Sequence, residues 1–508
     1  MAITVHDEAK TYRLIRPDGL GFFKKRSARQ FAIGIAGVFL GVVALVATKL
    51  GAGPRAFLGV VGLGVIVVAM ARTLSGEDVV ELVAPAFGYG YRRLRSRRWA
   101  APLCPTGGPA NTSAVPEFLG GTALFDFDPR AMLGRAMRPV GVIRDHADGT
   151  VALALRVHGQ GFLVAESSEQ DYRVSAWGQA LAGFCRDGQP VVRVAWSQWL
   201  APAGIEEHRA WLEQTMRADP DPEMVAAYDE VLSEAGRAAT VSEVLVTISV
   251  AIGRVKVLAH HGDDRLLAAT ERLLDEAERF TNQLQRAGLV VSLPLSASAM
   301  ARTLRDRLDP GASARLDARG RSVGDVAGLV SPSNGFPMAA EECSRRTIRV
   351  DDCFHRVFRV MEWPRTSVRA DWMAGFLCAP DAVRSFTVIF VPQNRRIAKS
   401  QATQLATTAA AEVEDRVDHR KYVNAEQRRV QMAATALEEE LEAGAGMELF
   451  LGLVDVAALS EDELEGACER TIQAASNCGM ELRPIDFRQP AALAAVLPIG
   501  RGVTATLR

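Results

Sequence analysis

Val140-Gly-Val-Ile143 and Thr150-Val-Ala-Leu-Ala-Leu-Arg-Val157 flank the segment Asp145-His-Ala-Asp-Gly149. Two aliphatic, β-branched runs around an Asp-Gly turn form a hairpin signature, so this part of the chain is read as the start of a sheet. Working downstream, Gly161 to Ala165 is strand-like, a helix is expected from about 169 to 184, and Pro190 to Gln198 is the next strand. A helical excursion over Ile205 to Glu234 is interrupted by Asp219-Pro-Asp-Pro222. Val241 to Ile252 is strongly β-branched, and Asp264 to Ala287 repeats Leu266, Leu267, Leu273, Leu274 and Phe280 at helical spacing before the strand Leu289 to Leu293. Residues 136–310 therefore read as an α/β lobe with helices layered on one sheet.

A stretch rich in Gly, Ser, Asp and Pro, containing Ser331-Pro-Ser-Asn-Gly-Phe-Pro337, marks 311–340 as a linker. Residues 341–508 repeat the order of the first lobe. Thr347 to Val350 and His355 to Met361 are strands, Ser367 to Phe376 a helix, and Ser385 to Pro392 an apolar strand. Gln393 to Ala443 contains no Gly or Pro, which allows a helix or helical pair extending up to about 75 Å. Met447 to Val454 is a strand, Ser460-Glu-Asp-Glu463 has the form of a capping box opening a helix to Cys478, and Met480 to Pro484 is a strand. The matching order suggests an internal duplication or one fold split by insertions.

Upstream, Phe31 to Thr48 and Ala56 to Ala71 are apolar and uncharged, separated by Lys49-Leu-Gly-Ala-Gly-Pro-Arg55. As a helix the first run reaches about 27 Å, near the hydrocarbon thickness of a bilayer, so 31–72 is expected to be a two-helix transmembrane hairpin behind a short N-terminal segment, 1–30. Lys24, Lys25, Arg26 and Arg29 before it, and Arg72 after it, place both termini and the large domain in the cytoplasm of a multi-pass cell-membrane protein. Gly34, Gly37 and Gly41 are the expected helix-packing residues. The following basic region, 73–135, carries Arg92, Arg93, Arg95, Arg97, Arg98 and Trp99, read as a juxtamembrane anchor to lipid. The expected fold class is thus membrane-anchored α+β, with a hairpin, two α/β lobes and a long helical arm in the second lobe.

Across 508 residues, 59 Lys and Arg balance 60 Asp and Glu, so no net positive footprint exists for nucleic acid and direct nucleic-acid binding is not expected. Cys104, Cys185, Cys343, Cys353, Cys378, Cys468 and Cys478 are scattered and odd in number, without C-x-x-C, which points to buried free thiols. No phosphate loop, G-x-S-x-G or H-E-x-x-H occurs. His260-His261-Gly-Asp263-Asp264 groups possible ligands but reads as a loop with Asp263 as a helix cap. The acidic pairs Glu341-Glu342 and Asp351-Asp352 read as solvated loops, and His355 as a satisfied strand histidine. No catalytic residue, metal site or cofactor is expected.

The lead Tyr12-Arg-Leu-Ile-Arg-Pro17, the apolar hairpin, the arginine-rich exit and His355-Arg-Val-Phe-Arg-Val-Met-Glu-Trp-Pro364, continued through Phe386 to Gln393, resemble integral membrane proteins of actinobacterial conjugative elements. In that resemblance the hairpin is similar to the small inner-membrane hairpin subunit of type IV secretion, and the lobes to the N-terminal, non-motor domain of the secretion ATPase. The ATPase's motor domain and its phosphate loop are missing from this sequence. The resemblance implies a non-enzymatic, homo-oligomeric scaffold that docks a separate secretion ATPase and other membrane components. The alternative is a membrane subunit of a type VII secretion complex.

Overall fold

The computed structural model describes residues 79–95, 98–100, 115–159, 161–202, 221–238, 240–258, 264–311, 335–364, 366–379, 382–423, 425–442 and 446–502, residue 261, and short pieces within 37–63 and 211–216. No helix among them is long and apolar enough to cross a membrane. That corrects the transmembrane hairpin and the multi-pass cell-membrane placement built on it. An uncharged run of suitable length is a statement about composition, whereas a span requires one continuous apolar helix. Gly37 falls in a short helical piece, and Gly34 and Gly41 lie outside the described residues.

After the short pieces within 37–63, the described elements are α1 (Val79–Arg95) and β1 (Arg98–Ala100). A first half follows: β2 (Thr122–Phe127), α2 (Pro129–Leu133), β3 (Val140–Asp145), β4 (Thr150–His158), α3 (Ser167–Ala182), β5 (Val191–Pro202), α4 (Pro222–Ala238), β6 (Thr240–Ala251), α5 (Arg265–Arg286), β7 (Val290–Pro294) and α6 (Ala297–Leu308). The second comprises β8 (Ala339–Ser344), β9 (Thr347–Val350), β10 (Cys353–Glu362), α7 (Ala374–Leu377), β11 (Val383–Pro392), α8 (Arg395–Asp418), α9 (Ala425–Glu442), β12 (Glu448–Ala458), α10 (Glu461–Asn477), β13 (Glu481–Pro484) and α11 (Gln489–Val496).

Among the described residues the strands form one 13-stranded sheet, ordered β1-β8-β9-β10-β12-β11-β5-β6-β4-β3-β2, with β7 also on β4 and β13 also on β10. Every pairing is antiparallel. The two expected α/β lobes are therefore corrected to two halves of a single sheet. Alternation of apolar residues reveals which face of a strand is buried but not which strand lies beside it, so the seam has no signature in the sequence. At that seam β11 pairs with β5, with Thr387 opposite Ser197 and Ile389 opposite Ala195. Outward from it, β11-β12-β10-β9-β8 mirrors β5-β6-β4-β3-β2. The outer neighbours match as well: β3 and β7 lie end to end along β4, as β9 and β13 do along β10.

Strand alternation divides the core in two layers. On one face, Val246, Ile248 and Val250 of β6 pack with Leu273, Ala277 and Phe280 of α5, and Val454 and Val456 of β12 pack with Leu464 and Cys468 of α10. On the other, Leu245 and Leu453 share one cluster with Met300 and Leu304 of α6 and Ala492 and Val496 of α11, so this layer spans both halves. Gly141 lets α6 approach β3: a Cβ there would stand 2.6 Å from the Ala297 nitrogen.

Candidate functional site

The layer beneath α6 and α11 contains buried polar groups as well as apolar ones, and they follow a crossed path. α6 begins on the first half, where Asp126 accepts the Ala297 N–H at 2.9 Å. Its C-terminal turn reaches the seam and beyond it. Arg307, fully buried, donates to Ser197 Oγ on β5 and lies 3.5 Å from Glu243 Oε2 on β6, while Arg156 of β4 lies 2.5 Å from Glu243 Oε1. Burial pulls the Arg307 guanidinium below its ordinary value and Glu243 acts against that shift. Arg305 then pairs with Asp351 at 2.8 Å and donates to the Phe336 carbonyl at 3.1 Å, both in the second half.

The second half returns the clasp. Gln489, at the start of α11, accepts the Val357 N–H at 2.7 Å and donates to the Val357 carbonyl at 3.1 Å. Past the helix the chain crosses the first half as a strap. Thr387 donates to the Val496 carbonyl at 2.8 Å, Thr247 to that of Pro498 at 3.3 Å, and Ser249 to that of Gly500 at 3.1 Å. Gly500 has φ +68°, and an added Cβ would stand 2.3 Å from Ser249 Oγ, so glycine is required there. Arg501 closes the strap on Asp145, with Nε to Oδ2 at 3.0 Å, and donates to the carbonyls of Phe118 and Gly120. In each half an arginine from the other half's crossing segment thus binds an aspartate at the β3 or β9 turn and a carbonyl just ahead of β2 or β8.

His355 of β10 sits under the end of α6. Its Nδ1 is 3.0 Å from Asp455 Oδ2, and its Nε2 is 2.9 Å from the Leu308 carbonyl oxygen. Burial alone would lower its pKa, but Asp455 and Cys353 together outweigh burial and hold the ring well above its ordinary value. A protonated ring donates from both nitrogens, to Asp455 and to Leu308. With both nitrogens engaged and no exposure, this pair is suited to holding the end of α6 on the second half.

Of the basic residues Arg92 to Arg98, two are tied to protein. Arg92 makes a two-pronged pair with Glu342, both contacts 3.0 Å, and donates to the Phe487 carbonyl at 3.2 Å. Arg98 pairs with Glu341 at 2.9 Å. Trp99 lies on β1 opposite Ala340, and Arg93 is exposed on α1. The Arg95 side chain and Arg97 lie outside the described residues. Sequence reasoning treated Glu341 and Glu342 as solvated; the arginine-rich exit is their counterpart. It overlooked Arg305, Arg307, Arg501, Asp145 and Glu243, whose partners are remote in the chain.

At the double-histidine stretch, His261 contacts Glu271 at 2.5 Å, and Asp264 caps α5 by accepting from the N–H groups of Leu266 and Leu267. The cap is thus Asp264, one residue later than Asp263, which lies outside the described residues. Among the described residues no group of three or more His, Cys, Asp or Glu side chains is placed to hold a metal. No protein-family model and no curated protein matches the chain.

Proposed function

We propose that the chain is a non-enzymatic scaffold of a type IV secretion or conjugative DNA-transfer machine, and that it docks a separate motor ATPase. The observation that carries this reading is the arm formed by α8 and α9. It rises from the end of β11 and returns at β12, beside the seam, and its helices pack mainly on each other through Ala398, Ala402 and Leu441 near the base and Ala409 and Ala434 farther out. Lys399 to Glu442 at 2.5 Å and Thr403 to Glu438 at 2.8 Å tie the two helices together. Ile397, Val417, Tyr422 and Met432 remain exposed along it. A stiff arm on a sheet whose halves clasp each other presents an apolar, charge-flanked surface at a fixed position, which suits docking. The resemblance of Val357 to Pro364 and onward to the non-motor part of a secretion ATPase supports the choice of machine.

The test is binding between the full chain and a phosphate-loop secretion ATPase of the same organism, measured with and without residues 395–442. Binding that requires the arm supports the reading. Binding only to type VII components would move the chain to that machine, and a monodisperse monomer that binds neither would overturn the scaffold role.

A further inference from the structure

Two exposed surfaces of opposite charge are rooted at opposite ends of the seam. β5 and β11 run antiparallel, with Phe390 opposite Val194 and Arg384 opposite Leu200. The arm of α8 and α9 leaves β11 at Pro392, whereas α4 ends just before Thr240 of β6, which lies opposite Pro202 of β5. The two roots are therefore about 33 Å apart along the strands. The 24 residues of α8 carry the tip of the arm about 36 Å farther from its root. Among the described residues the arm's buried apolar side chains cluster only with one another and with Met447, so the tip stands away from α4 of its own chain.

The tip is basic. Its turn, with Arg420 at φ +49°, is held by Arg428, which donates to the Val423 carbonyl at 3.0 Å, and by Arg416, whose Nη1 is 3.5 Å from the Tyr422 carbonyl oxygen. Tyr422 and Val417 are 78% and 60% exposed there, and Arg420, Lys421 and Arg429 beside them are exposed as well. Asp415 pairs with His419 at 3.2 Å, so Glu414 and Asp418 stand against five basic side chains. α4 is the reverse. Glu223, Glu230 and Glu234 share one stripe at helical spacing, and Met224 and Val231, 69% and 60% exposed, share the stripe next to it. No lysine or arginine is among its described side chains.

We infer that the arm tip of one copy of this chain docks on α4 of a second copy, with Tyr422 and Val417 against Met224 and Val231 and the basic residues against the glutamate stripe. Charge complementarity selects this occupant, because tip-to-tip and α4-to-α4 contacts would each oppose like charges. The separation of the two surfaces selects a contact between copies over one within a chain. Such a head-to-tail contact closes into a ring if its rotation closes and propagates if it does not. One hairpin tip buries an area at the low end of interface sizes, below about 1,200 Å² in total, so the complex should dissociate on dilution. The inference concerns the purified chain alone and is independent of which machine it serves; Ile397, at the root of the arm, lies outside the contact.

Sedimentation of the full chain over a dilution series tests it, with near-UV circular dichroism confirming that variants are folded. The unaltered chain should self-associate, and added salt should weaken the association by screening exposed charges. The Arg420→Glu, Lys421→Glu, Arg429→Glu variant and the Glu223→Lys, Glu230→Lys, Glu234→Lys variant should each raise the dissociation constant at least about tenfold. Mixing the two variants in equal amounts should restore association, because every tip then meets opposite charge on the other variant's α4. A chain that stays monomeric, association indifferent to either variant, a mixture no tighter than its components, or a tip that binds only nucleic acid or anionic vesicles would each overturn the inference.

Discussion

Replacing Arg501 with methionine releases the strap that the second half lays over the first. Arg501 Nε stands 3.0 Å from Asp145 Oδ2 and its Nη2 2.6 Å from the Gly120 carbonyl, and the Asp145 side chain is 3% exposed. Removing one partner of a buried ion pair costs about 3–5 kcal/mol. Asp145 keeps the N–H groups of Ala147 and Asp148 on Oδ1, and methionine preserves the packing of the arginine stem, so about 2–3 kcal/mol is expected. At about 1.36 kcal/mol per decade, the local opening constant rises about 30- to 160-fold. Hydrogen exchange resolved to residues 497–502 reads it directly, because the Gly502 N–H donates to Asp148 and that of Ile499 to Leu497. Those amides should exchange faster by this factor while the α5 amides are unchanged. Acceleration below about threefold would refute the reasoning, since the clasp would then add almost nothing to closure of the strap.

His355→Gln should destabilise the fold and flatten its pH dependence. The ring's folded pKa is raised, so its contribution is complete below the ordinary value of 6.5 and is lost as pH rises through the elevated folded value; urea midpoints from about pH 6 to 10 read this slope. The Cys185 thiol, pushed up to about 12 by burial and by Glu448, should resist iodoacetamide at about pH 8 in the folded protein and react on unfolding, with exposed Cys378 labelled before it. Gly141→Ala should cost about 1–3 kcal/mol in thermal or urea unfolding by forcing the start of α6 off β3, whereas Gly134→Ala meets no neighbour and is strained only by its φ of +68°.

Local chemistry is the part of this molecule that its sequence makes legible. The turn after β3 is written in Asp145, whose Oδ1 accepts from Ala147 and Asp148, and in Gly149 at φ +62°. The capping box at Ser460 is equally plain: its hydroxyl accepts the Glu463 N–H at 3.2 Å. The break in the arm is not, because neither Gly nor Pro marks it; the chain leaves α8 at His419 and turns with Arg420 at φ +49°. Partners distant in the chain are the least legible. Arg501 and Asp145 are 356 residues apart, and nothing local to either announces the other. The apolar runs before Arg72 illustrate the same limit, since uncharged composition alone does not establish a spanning helix.

The pairing of β5 with β11 distinguishes one continuous sheet from two separate lobes, and a cross-strand disulfide measures it. Ser197 and Thr387 face each other across the seam, where directly opposed antiparallel positions lie about 4.5–5.5 Å apart, within disulfide range. Oxidation of the Ser197→Cys, Thr387→Cys chain should give an intramolecular 197–387 bond in the folded monomer, and the out-of-register Ala195→Cys, Thr387→Cys chain should not. Absence of the first bond in a folded chain, or its formation only between molecules, would contradict the single sheet and the clasp built across it.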